Sequence, residues 1–525
     1  MRRINIIIIS MLVTAIGAAA QQDFRYTVKT NPFFTGANPA NFDKSEHNWI
    51  SVAEAHFNGE NGRLIATEES PNCFDTGIHT ESFAKISDRI AFYGKMSYTF
   101  FNKQQAGGQI MMNPKYNPVQ FLESTDTTTG VKMGEKYHLT GGMTYTFNSR
   151  WSAGIRIDYE GGDQSKRRDP RFLNYWMDLG ISAGASFNVS DNGNVGLSVK
   201  YRHTNEEVRG GVYGTTDKQY YVSTDKGNYW GTTQLLDGDN NYMPASDSRP
   251  MMNSFIGGTV QFTYKADWEF FNELSFDSRK GYYGKKVTSS PVFFEYGGLE
   301  AAYNGTVLLH RSDNIHKFSL SGAFATLGNS ENSFEYSTSE GKSTEVIYKG
   351  QTKISDRTDI SGKLGYDLFL DTGHYRPSFE LETLASFDMR TLDASAYPFY
   401  RNSLTATYNV SADAFKSFFN GKNIFTAGAA LNYMAGFGKA KDEGSYASGA
   451  TSKLLSFDDY MNRQFEFDTA SRIGAGLGFT YTFVFNSRIA LYVTAKDRFL
   501  SLLAAPQYIK GRTRNEASLV LGCKF

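Results

Sequence analysis

The chain closes on Asn515-Glu516-Ala517-Ser518-Leu519-Val520-Leu521-Gly522-Cys523-Lys524-Phe525. Ala517, Leu519, Leu521, Cys523 and Phe525 fall on one face at a period of two; Ser518, Val520, Gly522 and Lys524 fall on the other. Successive side chains of a strand point to opposite faces, so this segment is a strand with one apolar and one mixed face. Such a strand suits a wall between lipid and a lumen.

The alternation recurs at residues 90–100, 139–147, 151–159, 179–189, 195–201, 379–387, 473–483 and 489–495. Most of these stretches approach the roughly 9–11 residues of a tilted membrane strand. Some connections are short and polar, among them Ser87-Asp88-Arg89, Asn148-Ser149-Arg150, Asp191-Asn192-Gly193, Asn420-Gly421-Lys422 and Asn486-Ser487-Arg488. Asn, Asp, Ser and Gly are the residues tight turns require. Others are long: 103–137, 161–174, 204–250, 328–342 and 438–468. Short periplasmic turns opposite long outer loops are expected of a membrane barrel. The sequence therefore predicts an all-β fold, a transmembrane antiparallel up-and-down β-barrel of roughly 16–18 strands, with 14–20 as the bounds. The up-and-down count breaks between about residues 359 and 420, where 371–376 or 390–400 falls on the wrong side or one strand is missing. Tyr145-Thr146-Phe147 and Phe483-Val484-Phe485, each just above a turn, are expected in a periplasmic aromatic girdle.

Composition agrees. The 525 residues include 41 Phe and 32 Tyr but only 12 Pro against 50 Gly. Scarce proline fits a backbone whose N–H groups are committed to strand ladders. The mean hydropathy of −0.43 is no objection, because a barrel hides its apolar residues at alternate positions. Zero net charge argues against a nucleic-acid partner. Cys73 and Cys523 are expected at opposite rims, so no disulfide is expected.

Met1-Arg2-Arg3, the apolar run 4–16 and Ala18-Ala19-Ala20 form a secretory signal peptide over residues 1–20. Residues 21–47 are read as an N-terminal strap or partial lumen plug, and 48–525 as an outer-membrane barrel with long extracellular loops. The first strand begins near Trp49, which leaves too little chain for the plug domain of a TonB-dependent receptor. Two Asn-Pro steps, Asn31-Pro32 and Asn38-Pro39, predict an irregular, extended strap.

Asn38-Pro39-Ala40 resembles the N-terminal region of long-chain fatty-acid-transporter-type barrels, in which that segment lies inside the barrel. Together the strap and the barrel behind it resemble an uncharacterised Bacteroidota-type family of outer-membrane barrels. The terminal aromatic, Phe525, resembles the C-terminal signal that barrel-assembly machinery reads. These resemblances imply outer-membrane lipid and the assembly machinery as partners, and surface lipoproteins or a TonB-dependent importer as further ones.

Chemistry is sparse. The eight histidines, His47, His56, His79, His138, His203, His310, His316 and His374, are scattered and mostly at strand ends, so no catalytic site, cofactor or metal is expected and the chain is not read as an enzyme. Asp237-Gly238-Asp239-Asn240-Asn241 has the composition of a calcium loop but lacks the acidic ligand that should follow. Arg156, Asp158, Lys200, Arg202, Glu380 and Glu382 are candidate lumen charges. With Asp388, the glutamates form either an acidic patch or cross-lumen hydrogen bonds to Arg156, Lys200, Arg202, Lys363 or Lys496. Lys166-Arg167-Arg168-Asp169 is the densest basic cluster, either meeting lipopolysaccharide phosphates or simply solvated. Tyr213, Tyr220, Tyr221, Tyr229, Trp230 and Tyr242, interleaved with Gly, Asp and Asn, form a candidate loop contact surface. That loop either stacks a sugar or a protein partner, or folds into the pore. The functional expectation is a pore or uptake component for a small solute or amphiphile; the alternative is a closed scaffold for surface lipoproteins or an importer.

Overall fold

The computed structural model describes residues 23–45, 48–113, 116–124, 126–212, 218–236, 249–338, 344–449, 451, 454–486 and 488–525. Eighteen antiparallel strands form one sheet that closes on itself. The first strand, Trp49–Gly62, pairs on one edge with Asn72–Ser87 and on the other with the last strand, Thr513–Lys524. The seam runs from Val52 opposite Lys524 to Gly62 opposite Arg514, and the Phe525 N–H donates to the Ser51 carbonyl at 3.0 Å. Closure leaves no edge for another chain to pair with. No helix among the described residues is long and apolar enough to cross a membrane.

Alternation sorts the side chains as the terminal stretch implies. Leu519, Leu521, Ile155, Ile157, Leu197, Ile256 and Leu477 point outward and are about half exposed or more, while Ser152, Ser198, Thr259, Thr426 and Thr494 are buried on the inside. Aromatic pairs gather near the turns at the end holding Phe525: Tyr145 with Phe147 at 5.0 Å, Trp151 with Phe187 at 4.6 Å, and Phe483 with Phe485 at 6.4 Å between ring centres. We call this the strap end and the opposite one the loop end.

The break in the strand count resolves without a missing strand. Strand Glu345–Leu370 turns at the strap end through residues 371–378, a long turn for that side. Phe379–Ala396 and Phe399–Asn420 are joined at the loop end by only Tyr397-Pro398. A long strap-end turn next to a short loop-end turn reverses the expected lengths here, and a rule based on length misplaces the segment; the loop-end connection between Val287 and Ser290 is equally short. The expected long loops at 161–174, 328–342 and 438–468 also shrink. Their flanking strands, 16 to 26 residues long, climb well past the length needed to span a bilayer.

Inside the cylinder lie two further bodies. The strap is not extended. It forms α1 (Phe24–Thr30) and two 3-10 turns, Pro32–Phe34 and Pro39–Lys44. Its Asn-Pro steps are helix starts: Asn31 and Asn38 accept from the N–H of Phe33 and Ala40 at 3.1 and 3.0 Å, each followed by Pro at the first helical position. At the loop end, Gln120–Leu122, Tyr220–Asp225, Trp230–Leu236 and Leu455–Ser456 make a second, four-stranded sheet, with α2 (Asp458–Thr469) beside it.

Candidate functional site

The strap end is closed by side chains that dock one at a time into the wall. Tyr26 meets Phe369, Phe33 meets Phe271, Phe34 meets Phe83, and Phe42 stacks on Tyr93, all with ring centres 5.1–5.9 Å apart. The wall is carved to receive them. A Cβ on Gly154 would lie 2.3 Å from the Pro39 carbonyl oxygen, and one on Gly184 would overlap Asn38 Oδ1. Thr144 and Ser152 hydroxyls donate to the carbonyls of Pro39 and Ala40.

Charges complete the seal. Lys29 reaches both Glu380, at 2.7 Å, and Glu382. Arg25 pairs with Glu54 at 2.8 Å, and Asp23 pairs with Lys524 on the last strand. Burial opposes ionisation of Asp23, but Lys524 and Arg376 outweigh it and hold the carboxyl well below the usual carboxylate range. A buried pair of this kind is costly to break by removing one partner.

The loop-end sheet is held differently on its two sides. On one, Phe121, Val119 and Val222 pack with wall residues Phe172, Val208, Met251, Tyr283, Phe294, Tyr296 and Leu327 in one apolar cluster. Buried Glu123 pairs there with Lys132, at 3.2 Å, and with Lys166. Tyr116 is gripped from the wall: its ring lies 4.2 Å from the Arg279 guanidinium and 5.5 Å from that of Arg202, and Arg279 and Arg357 donate to its carbonyl. Burial pushes the Tyr116 hydroxyl up to about 12.

On the opposite side several wall residues make the attachment: Asn228 donates to the Leu392 carbonyl at 3.3 Å, Lys226 pairs with Glu331 at 2.6 Å, Lys441 pairs with Asp458 of α2 at 3.0 Å, and Arg401 joins them. Arg401 is 2% exposed and contacts the carbonyls of Asn228 and Tyr229, the Ser456 hydroxyl at 2.7 Å, Glu443 at 2.5 Å and the Trp230 ring at 5.2 Å. Asp225 holds the adjoining hairpin by accepting from the N–H of Gly227 and Trp230 at 2.9 and 3.2 Å. Burial nevertheless pushes its carboxyl up to about 6.

Beneath the loop sheet the lumen holds a chamber of about 620 Å³. Its roof includes Tyr116, Gln109, Asn228 and Tyr229, with Gln464 and Phe465 from α2; its wall includes Arg357, Asp359, Ser361, Asp388, Arg390, Ser403, Thr405 and Thr407. The charged wall is largely self-paired, since Asp359 accepts from Arg357 at 2.9 Å and from Arg390 at 2.5 Å. The volume is within the ordinary range for a small-molecule site.

Most candidate residues lie where this construction needs them, though some with different partners. Arg156 pairs with Asp158 at 2.8 Å, Lys200 with Asp277 at 2.7 Å, and Arg202 with Asp178 at 2.5 Å, all facing inward. Glu380 and Glu382 bond neither to Asp388 nor to the opposite wall; the strap brings Lys29 to them first, more than 350 positions away in sequence. Tyr229 and Trp230 fold into the lumen, Tyr220 packs against the apolar cluster, and Tyr221 is 50% exposed. Tyr213, Tyr242, the 237–241 segment, the signal peptide and His47 lie outside the described residues. The basic cluster splits: Lys166 turns inward to Glu123, and Arg168 donates to the carbonyls of Thr127 and Thr129. Both cysteines are free and at opposite ends, beside Glu60 and Lys524 respectively. Arg401, Tyr116 and Glu123 were not singled out by sequence. No periodicity marks them, and their role exists only once distant loops meet.

Solved structures similar to the chain include two receptors and a FadL homologue. The ferric preacinetobactin receptor of Acinetobacter baumannii aligns at 7% identity over 90% of this chain and 80% of that one, with a TM-score of 0.36. The ferric enterobactin receptor of Pseudomonas aeruginosa aligns at 8% over 90% and 80%, with a TM-score of 0.39. A FadL homologue from Pseudomonas aeruginosa aligns at 12% over 98% and 99%, with a TM-score of 0.32. No curated protein matches the sequence. A family of unknown function, DUF6850, matches over residues 39–525, and the chain belongs to that family.

Proposed function

We propose that the protein sits in the outer membrane, strap end toward the periplasm, and takes up a small solute through a lumen closed by two plugs of its own chain. The observation that carries this reading is the chamber of about 620 Å³ in the lumen beneath the loop sheet. A solid scaffold has no need of such a space. The loop sheet is the moving part: its apolar side is the hinge and Arg401 part of the latch.

Planar-bilayer recording tests the proposal. The native protein passes little current, and Arg401→Ala passes frequent, larger openings. Absence of current in both proteins, with no uptake defect on deletion, overturns it.

A second reading has its own support. The hairpin around Tyr336, Ile347 and Tyr348 climbs beyond its neighbours and is exposed, with Tyr336 at 58%. A two-stranded ribbon standing in water is marginal alone. A surface lipoprotein or TonB-dependent importer covering it makes the barrel an accessory subunit. Purification from native membranes then recovers a stoichiometric partner that a Tyr336→Asp, Tyr348→Asp variant loses.

A further inference from the structure

The wall arc from Phe399 to Leu502 differs from the rest of the lumen. Elsewhere the strap lies on the wall, or Arg and Lys pair with Asp and Glu. Along strand Phe399–Asn420 the inward positions read Ser403, Thr405, Thr407, Asn409, Ser411 and Asp413. Ser403, Thr405 and Thr407 line the chamber. Asn409 accepts from Asn432 on the next strand, and Ser411 sits directly opposite Asn432 in register. Lower down, Phe415, Thr426, Thr480, Thr494 and Lys496 line a second cavity of about 90 Å³, bounded on its other side by Asp23, Arg25, Tyr26 and Lys29 of the strap. A hydroxyl-and-amide lane therefore runs from the chamber toward this cavity beside the strap.

Three amide oxygens of the lane and chamber accept no hydrogen bond. Asn228 Oδ1 and Gln109 Oε1 are buried in the chamber lining with no hydrogen-bond partner, on residues 3% and 8% exposed. Asn432 Oδ1 is in the same condition within the lane, and Gly474 leaves the space its amide occupies: a Cβ there would overlap that oxygen. The Tyr116 hydroxyl, also unpartnered, faces the chamber. Buried polar atoms are normally satisfied, so these oxygens call for donors brought by a ligand. The donors are not supplied by a dense cationic wall, which would mark an anion path, because Arg357 and Arg390 are already engaged by Asp359. Nor is the lane greasy enough for an acyl chain. Rings at Tyr116, Tyr229 and Phe465 offer stacking faces beside the polar groups.

Resting on the uptake reading above, we infer that the solute is a small, uncharged, polyhydroxylated molecule of the sugar class, and that it descends along the inward face of residues 403–413, 426–432, 474–480 and 494. Each hydroxyl hands its hydrogen bonds from one Ser, Thr or Asn to the next. Along Ser403 to Ser411 a charged solute meets only hydroxyls and an amide, with no counter-charge among those inward positions, and is slowed by desolvation.

The test is flux into proteoliposomes holding the full chain with both plugs loosened, Arg401→Ala with Lys29→Ala. Arabinose and glucose are compared with gluconate and glucosamine, molecules of similar size carrying one charge. The two sugars are expected to enter about tenfold faster than either ion. Adding Ser411→Trp is expected to reduce sugar flux about tenfold, while the heat-modifiable electrophoretic mobility of a folded barrel persists. Equal or faster entry of gluconate or glucosamine overturns the inference, as does sugar flux unchanged by Ser411→Trp. If potassium chloride current is present in those variants while sugars show no preference, the lane fails and the uptake reading stands. If neither current nor flux appears, both fall.

Discussion

The two ends of this lumen are closed by opposite strategies. The strap is one continuous segment, and its fit is written into the wall: glycines at 154 and 184 exist where Pro39 and Asn38 press against the strands. Phe24, Phe34 and Phe42 share one apolar cluster with the wall and Tyr26 enters another, so no single contact governs the rest. The loop plug is a small sheet assembled from three loops far apart in sequence. It has a shared apolar core against one side of the wall and a set of polar contacts on the other, made by Arg401, Leu392, Glu331 and Lys441. On the uptake proposal the loop plug, held by an apolar edge and an edge of exchangeable polar contacts, is the gate, and the strap is the fixed part.

The largest test of that contrast is Glu123→Ala. Glu123 is 1% exposed and is the carboxylate between buried Lys132 and Lys166. Removing it strands two ammonium groups, an effect on the order of 3–5 kcal/mol. Hydrogen exchange across residues 107–129 and 220–233 is expected to rise sharply while the strap stays protected. Equal loosening of the strap would show that the two plugs are one unit. Gly154→Val attacks the other end. Overpacking against Pro39 costs about 1–3 kcal/mol. Trypsin should then cut after Arg25 and Lys29, with the loop sheet still resistant. Narrower in reach is Arg401→Ala, which removes hydrogen bonds from a charged group, each worth about 1.5–3 kcal/mol when intact. Its released partner Glu443 is 40% exposed and finds water, so the loss is local. Exchange should increase around residues 228–233 and leave 119–122 unchanged.

The same contrast explains what could be read in advance. The barrel was legible because every second residue of a long strand must face lipid, and that constraint repeats eighteen times. The strap's location was legible from what lies between Ala20 and Trp49. Its local form was not, since Asn-Pro marks both an extended step and a capped helix start, and only the docked chain chooses. The loop sheet left no trace: its strands run from two to seven residues, below any detectable period. Tyr229 and Trp230 drew attention as aromatics in a polar loop, but their inward course depends on Arg401, which looks in sequence like any other strand residue. Glu380 and Glu382 were seen as a pair, while Lys29, their partner, was hidden by distance along the chain.

The finest distinction between the plugs is their response to pH. Asp225, buried at the turn into Trp230, has its carboxyl pushed up to about 6 by burial, against an ordinary value of 3.8. Glu69, in the neighbouring loop, is raised by burial as well. A folded-state value above the unfolded one means the folded state holds the proton more tightly, so this contribution to stability is greatest at low pH and is lost as pH climbs from about 4 to about 6. At the strap, Asp23 is shifted the other way by Lys524 and Arg376. Its contribution is complete above the ordinary carboxylate value and disappears only in stronger acid. Between pH 7 and pH 5, then, the hairpin around Asp225 should tighten and the Asp23–Lys524 pair should not change. Hydrogen exchange, corrected for intrinsic rates, should show greater protection of residues 221–231 at pH 5 and none of this change at Arg25 and Tyr26, whose N–H groups donate to Asp23. Asp225→Asn should flatten the hairpin response, because the amide oxygen still accepts from Gly227 and Trp230 without a proton to lose. A pH response that survives Asp225→Asn would assign it to Glu69 instead, and one shared equally by the strap would mean that the two closures are coupled through the wall.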